Sequence, residues 1–265
     1  LHVEIEDEDS LSERLNANRA VKPLDAAVIR LPHISNFTDF MPLEQHELLG
    51  VRYVQRAREL GRPDLVILPG TKNTMEDLLW LRQNGLEAAA LKLAHAGTPI
   101  LGVCGGYQML GQRLDDPQGT ESGRPMALSG LGLLPTRTVF DAQKRRMQVR
   151  AAAQGELFGG ARLTGYEIHN GRTEVGGAPF CMLEDGTPEG CVNRNVFGTY
   201  LHGLFDSSEL TGALVRMLCA RKGISPTQTQ LMSMADYRQQ PFDFLAHGVR
   251  QALDMGAVYR AINTA

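Results

Sequence analysis

Short apolar runs punctuate the first half of the chain, and polar segments with helical spacing lie between some of them. Residues 26–31 (Ala-Ala-Val-Ile-Arg-Leu), 51–54, 64–68 and 98–103 each read as a buried strand. Pro69-Gly70 closes the third run, and residues 74–81 and 86–94 repeat their apolar positions at helical intervals. Strands this apolar, alternating with helices, predict a mostly parallel α/β sheet flanked by helices. Ligands of such sheets gather at the carboxyl ends of the strands. Pro69-Gly70-Thr71 and Cys104-Gly105-Gly106 both fall at that edge.

Past Gly130 the pattern changes. Residues 132–140, 148–152, 164–168 and 196–201 read as strands between glycine-rich turns, and are expected to complete the sheet as antiparallel additions. Residues 109–114 look helical, 115–124 are polar and read as a loop, and 209–221 form an amphipathic helix. The expected organisation is an interdomain linker with a short helix over 1–20, a single domain over 21–225, and a C-terminal segment over 226–265. That segment begins polar and ends in a helix at 242–262. Ser10 with Glu13 reads as a capping box inside the linker.

Composition removes several classes of function. The net charge of −3 gives no electrostatic footprint for nucleic acid. The apolar runs are too short for a membrane span, and the N-terminus shows no secretory signal. The four cysteines, Cys104, Cys181, Cys191 and Cys219, have neither zinc-type spacing nor a disulfide framework, so no metal site is expected. A reducing cytoplasm, where a free thiol persists, is the expected setting.

Cys104 stands apart because glycines frame it. Gly102-Val103-Cys104-Gly105-Gly106-Tyr107-Gln108 follows a buried strand and opens a helix, the arrangement of a nucleophile elbow made with a thiol. Only small neighbours fit such a turn, and the start of the next helix favours the thiolate that attacks. A buried packing cysteine is the competing reading. A thiolate nucleophile needs a base, and His202 is the best placed of seven histidines, after an apolar strand and before Gly203. Acyl transfer also needs two N–H groups on the developing oxyanion; Gly105 and the loop at Gly70 are the candidates, although the latter also reads as a plain strand exit.

Cys104-Gly105-Gly106-Tyr107-Gln108, followed far downstream by Gly198-Thr199-Tyr200-Leu201-His202-Gly203, resembles the class I glutamine amidotransferases, in the branch of the cobyrinic and cobyric acid synthases. Arg30–Phe40 (Arg-Leu-Pro-His-Ile-Ser-Asn-Phe-Thr-Asp-Phe), Leu68–Thr74 and Gly165–Thr173 (Gly-Tyr-Glu-Ile-His-Asn-Gly-Arg-Thr) are similar to the cobyric acid synthases in particular. The resemblance implies a flavodoxin-like amidotransferase fold and hydrolysis of glutamine at a cysteine. The ammonia would pass to an ATP-dependent synthetase that amidates peripheral carboxylates of a corrinoid, adenosylcobyrinic acid a,c-diamide, on the way to cobalamin. By position Cys104 matches the nucleophile, His202 the base, Gln108 a glutamine that helps seat the substrate, and Gly70 and Gly105 the oxyanion loops. Glu167 and His169 fall near the site in similar proteins.

Two departures stand out. Many class I enzymes carry a glutamate two positions after the histidine, and here that residue is Leu204. His202 must then be oriented by a backbone carbonyl, by Glu167 or by a carboxylate of a partner domain. Glu167 reads equally well as a structural ion-pair partner. Second, no Gly-x-x-x-x-Gly-Lys-Ser/Thr phosphate loop occurs in the chain. The sequence therefore resembles the C-terminal glutaminase portion, with no cofactor of its own, and ATP and Mg would belong to an N-terminal synthetase domain absent from this chain. Arg30, Ser35, Asn36 and Asp39 form a polar cluster that reads either as a face toward that domain or the corrinoid, or as a loop fixed by its own hydrogen bonds. The rival functions are a cobyrinic acid a,c-diamide synthase, a cell-wall amidating enzyme, and a silent binding domain of the same fold.

Overall fold

The computed structural model describes residues 22–155 and 158–225, with 246, 248, 250 and 253 as isolated positions. The chain runs through β1 (Leu24–Ile29), a 3-10 turn (Phe37–Phe40), α1 (Met41–Gln45), β2 (Leu49–Val54), α2 (Ala57–Leu60) and β3 (Leu65–Leu68). It continues through α3 (Thr74–Gln83), α4 (Leu86–His95), β4 (Ile100–Val103), α5 (Gly105–Leu110), β5 (Arg113–Asp116), β6 (Met126–Ser129) and β7 (Thr136–Val139). Then come β8 (Arg145–Ala153), β9 (Arg162–His169), β10 (Arg172–Val175), β11 (Cys181–Leu183), β12 (Pro188–Glu189), β13 (Cys191–Asn193), β14 (Val196–Thr199), β15 (Leu201–His202), a second 3-10 turn (Leu204–Asp206) and α6 (Ser208–Lys222).

The central sheet has six strands in the order β13-β14-β4-β3-β1-β2. All its pairings are parallel except β13 with β14. β3, β4 and β14 are buried along their whole length. That is why they carry continuous apolar runs instead of alternation. Burying each Leu, Val or Ile of these strands contributes about 1.5–3 kcal/mol, which makes this layer the rigid platform of the domain. β4 and β14 lie side by side, with Val103 opposite Thr199. The two segments that follow them, which carry Cys104 and His202, therefore leave the same edge of the sheet.

The glycine-rich second half is organised differently from the expectation that it would complete the sheet. Only β14 and β13 join the central layer, and β14 does so in parallel. The remainder builds two further sheets, β10-β7-β5-β6 and β12-β11-β8-β9-β15. β7 alternates buried and exposed positions, the pattern of a sheet with one solvated face. The helix expected over 109–114 ends at Leu110, where Gly111 turns extended. A Cβ on Gly111 would lie 2.9 Å from the carbonyl oxygen of Thr136, so the chain there runs flush against β7 and enters β5. The loop expected over 115–124 accordingly begins with the last residues of that strand. The linker over 1–20 lies outside the described residues, as does most of 226–265. Among the described residues no helix is long and apolar enough to cross a membrane, and all four cysteines are free thiols.

Candidate active site

Cys104 joins β4 to α5 with φ 51° and ψ −111°, one of only three non-glycine residues at positive φ among those described. Such a conformation costs on the order of 1–3 kcal/mol and persists only where the surroundings impose it. Here the Cys104 N–H donates to Thr199 O at 2.8 Å, and its carbonyl accepts from Gln108 N at 3.0 Å. Gly106 presses α5 onto the end of β3: a Cβ there would lie 2.0 Å from Leu68 O. No side chain fits, which explains the glycine after the elbow. The Cys104 thiol donates to Ile168 O at 3.5 Å.

The two loops expected to flank an oxyanion do meet. A Cβ on Gly105 would lie 2.5 Å from Thr71 Cγ2 and 3.3 Å from Thr71 N. One on Gly70 would lie 3.2 Å from His202 Cε1. The Gly70 loop is held in place by a small network. Ser35 N donates to Gly70 O at 2.9 Å, and Lys72 N to His33 O at 2.9 Å. Asp77, wholly buried in the first turn of α3, accepts from the Thr71 hydroxyl and the His33 N–H and pairs with His33 Nδ1 at 2.8 Å.

His202 lies on β15, antiparallel to β9 and opposite Tyr166. It is buried, with Tyr166 stacked on its ring at 5.2 Å between centroids. Its Nδ1 is 2.7 Å from Asp39 Oδ2, while Asp39 Oδ1 accepts from Gly203 N at 3.1 Å. Burial opposes charging this imidazole, but the hydrogen bonds to Asp39 and Cys104 outweigh it and push its pKa up to about 10. The ring is held between the Asp39 carboxylate and the Cys104 sulfur, both of which favour its protonated form.

The orienting carboxylate is thus Asp39 of this chain, not a backbone carbonyl, a partner domain or Glu167. Glu167 sits next to Tyr166 on β9, and successive strand residues point to opposite faces. With Tyr166 on the His202 side, Glu167 turns away, paired with Arg145 Nε at 2.5 Å and 3.9 Å from His169 Nε2. In the sequence Asp39 stands out only as part of the polar cluster after the first strand. The loop carrying this cluster is tied to β9, with Asn36 Nδ2 donating to Tyr166 OH at 2.5 Å. Leu204, where many class I enzymes have glutamate, is buried packing.

These residues open into a cavity of about 380 Å³, whose wall includes Cys104, His202, Gln108, His169, Ser35 and Thr74. Gln108 is buried and engaged at both ends. Its Nε2 donates to Asn170 O at 3.0 Å and Tyr200 OH at 3.1 Å, and its Oε1 accepts from Thr74 Oγ1 at 3.0 Å. It shapes the cavity wall through these bonds. His169 stacks on Tyr200 at 3.6 Å. Among the described residues no group of three or more His, Cys, Asp or Glu is arranged to hold a metal ion.

The fold is similar to that of two solved structures. The structure of PurLQS from Thermotoga maritima aligns over 75% of this chain and all of that one, with a TM-score of 0.57 at 19% identity. Another glutamine amidotransferase aligns with a TM-score of 0.54 at 16% identity, over 75% of this chain and 99% of its own. Residues 25–210 match the family model of the CobB/CobQ-like glutamine amidotransferase domain, and the chain belongs to that family. It is 43% identical to the cobyric acid synthase of Ruminiclostridium cellulolyticum, over 99% of this chain and 53% of that protein. The cobyric acid synthase of Salmonella typhimurium is also 43% identical, over 98% of this chain and 53% of its own length. The chain spans about half the length of the curated relatives it matches.

Proposed function

We propose that this domain hydrolyses glutamine through a Cys104 thioester and supplies the ammonia to a cobyric acid synthase reaction. The observation that carries the reading is the linkage Asp39–His202–Cys104, with His202 and Cys104 lining one cavity. The strained turn presents the sulfur, and His202 takes the thiol proton as the attack begins. Sulfur attacks the side-chain amide carbon, forming the C–S bond and a tetrahedral oxyanion. N–H groups near Gly70 and Gly105 stabilise that charge, and one such donor typically contributes about 3–4 kcal/mol. The imidazolium gives its proton to nitrogen as the C–N bond breaks, and ammonia leaves. His202 then takes a proton from water, which attacks the thioester to release glutamate. Asp39 keeps Nε2 turned toward the sulfur throughout, the role of the carboxylate in other nucleophile triads.

Activation of the corrinoid carboxylates by ATP with Mg is assigned to a separate N-terminal synthetase domain in the cytoplasm, since this chain has no phosphate loop. The identity to cobyric acid synthases along nearly the whole chain supports that assignment. Ammonia release from glutamine, measured with and without the synthetase half, tests it. The expected outcome is slow turnover alone, faster turnover in the complex, and none in Cys104→Ala. Labelling of Cys104 by diazo-oxo-norleucine checks the nucleophile directly; an unlabelled Cys104 in active protein would overturn the assignment.

A further inference from the structure

Glutamine brings more than an amide into the cavity. Its α-ammonium and α-carboxylate must also leave water, and each needs an opposite charge to do so. Among the described residues lining the cavity there is a single carboxylate, Glu121, alongside Lys72 and Lys144. None of these three is needed for the thioester chemistry.

Glu121 is held in place by its own loop. The buried carboxylate of Asp116, at the end of β5, accepts from Thr120 N at 2.8 Å, Glu121 N at 2.9 Å, Ser122 N at 2.8 Å and Ser122 Oγ at 2.9 Å. Four hydrogen bonds to one anion tie the loop down on both sides of Glu121 and stiffen its approach to the cavity. Glu121 Oε1 accepts from Thr74 N at 2.7 Å. The hydroxyl of the same threonine donates to Gln108 and lies 3.0 Å from where a Cβ of Gly105 would stand. Thr74 therefore bridges Glu121 and the turn of Cys104, and the carboxylate and the sulfur line the same cavity.

We propose that Glu121 binds the α-ammonium of glutamine and so selects an α-amino acid amide over a plain carboxamide, leaving the α-carboxylate to Lys72 and Lys144. The inference rests on the glutaminase reading above. The charge on Glu121 is under strain without a cation. Burial raises its pKa, the Thr74 hydrogen bonds oppose that, and Asp116 and Asp77 add like-charge repulsion. An arriving ammonium relieves both the desolvation and the repulsion.

The test compares L-glutamine with 4-carbamoylbutanoate, the same amide without the α-amino group, in the full chain with its synthetase half and in Glu121→Gln and Glu121→Asp. The neutral glutamine at 121 keeps the acceptor for Thr74, so the loop stays anchored. Alkylation of Cys104 by iodoacetamide, at an unchanged rate, checks that the site is intact. For glutamine, Glu121→Gln is expected to raise KM about 10- to 100-fold with kcat within about threefold. Kinetics on 4-carbamoylbutanoate should stay as in the parent, so the preference for glutamine falls by the same factor. Glu121→Asp, which keeps the charge, should recover part of it. An unchanged glutamine KM in Glu121→Gln, or an equal loss on both substrates, would overturn the assignment. Absence of hydrolysis of either substrate by the parent protein would instead overturn the glutaminase reading itself.

Discussion

The carboxylate of Asp39 lies 2.7 Å from Nδ1 of His202, across 163 positions of sequence. One oxygen holds the ring and the other holds the N–H of Gly203, so both the imidazole and its backbone are fixed by a single residue. Replacing that carboxylate by an amide removes the charge that favours the imidazolium. We expect Asp39→Asn to lower kcat about 10²- to 10⁴-fold with little change in KM, as for the equivalent change in other nucleophile triads. The direction in pH is also set. His202 with its partners holds its proton up to about 10, so in the parent the step that needs the imidazolium fails only at strongly alkaline pH. In Asp39→Asn the alkaline limb of kcat should move toward neutrality. Profiles of kcat against pH check both points, and an unmoved limb would show that Asp39 does not tune the ring.

Asp77 tests the loop at Gly70. It gathers the Thr71 hydroxyl and both the ring and backbone nitrogens of His33, without lining the cavity itself. Asp77→Ala should leave glutamine KM nearly unchanged and lower kcat about 10- to 100-fold, because the loop loses its aim at the developing oxyanion. The alkaline limb should stay in place, which separates this effect from that of Asp39.

Gly106 tests the packing of the elbow. A Cβ there would stand 2.0 Å from Leu68 O, a backbone atom in a buried strand. The sheet cannot yield cheaply at that point. Gly106→Ala should destabilise the domain by about 2–4 kcal/mol and abolish rapid alkylation of Cys104. Chemical denaturation and thiol labelling provide the two readouts.

Glu189 predicts a pH dependence of stability. Its carboxylate accepts from Tyr200 N at 2.6 Å and Thr199 Oγ1 at 2.7 Å, on the segment that leads to His202. Burial raises its pKa to about 7, against the opposing pull of those hydrogen bonds. A carboxyl whose folded pKa is raised binds its proton more tightly in the folded state. Its contribution is therefore complete below about 4.5, the unfolded value, and is lost as pH rises through about 7. The parent should lose a few kcal/mol between these limits, and Glu189→Gln should show a flatter profile in urea denaturation.

Much of this protein was legible in one dimension because the causes are local. Continuous apolar runs mark strands covered on both faces, so β1, β3, β4 and the two helices between β3 and β4 follow from spacing alone. The glycines around Cys104 mark a turn that no larger side chain fits, and the apolar strand before His202 delivers a histidine to a sheet edge. What spacing cannot encode is which distant side chains converge. Tertiary packing decided that Asp39 orients His202 and Glu167 does not, because the pleat of β9 sends Tyr166 and Glu167 to opposite faces. It also split the second half into separate sheets, since alternating strands need one dry face and one wet one. And it set Glu121 beside Thr74 at the start of α3 through the Asp116 clamp, a contact between segments far apart in the chain. Local sterics and hydrophobic period are properties of neighbours in the chain, whereas charge pairing across a cavity depends on where the whole fold closes.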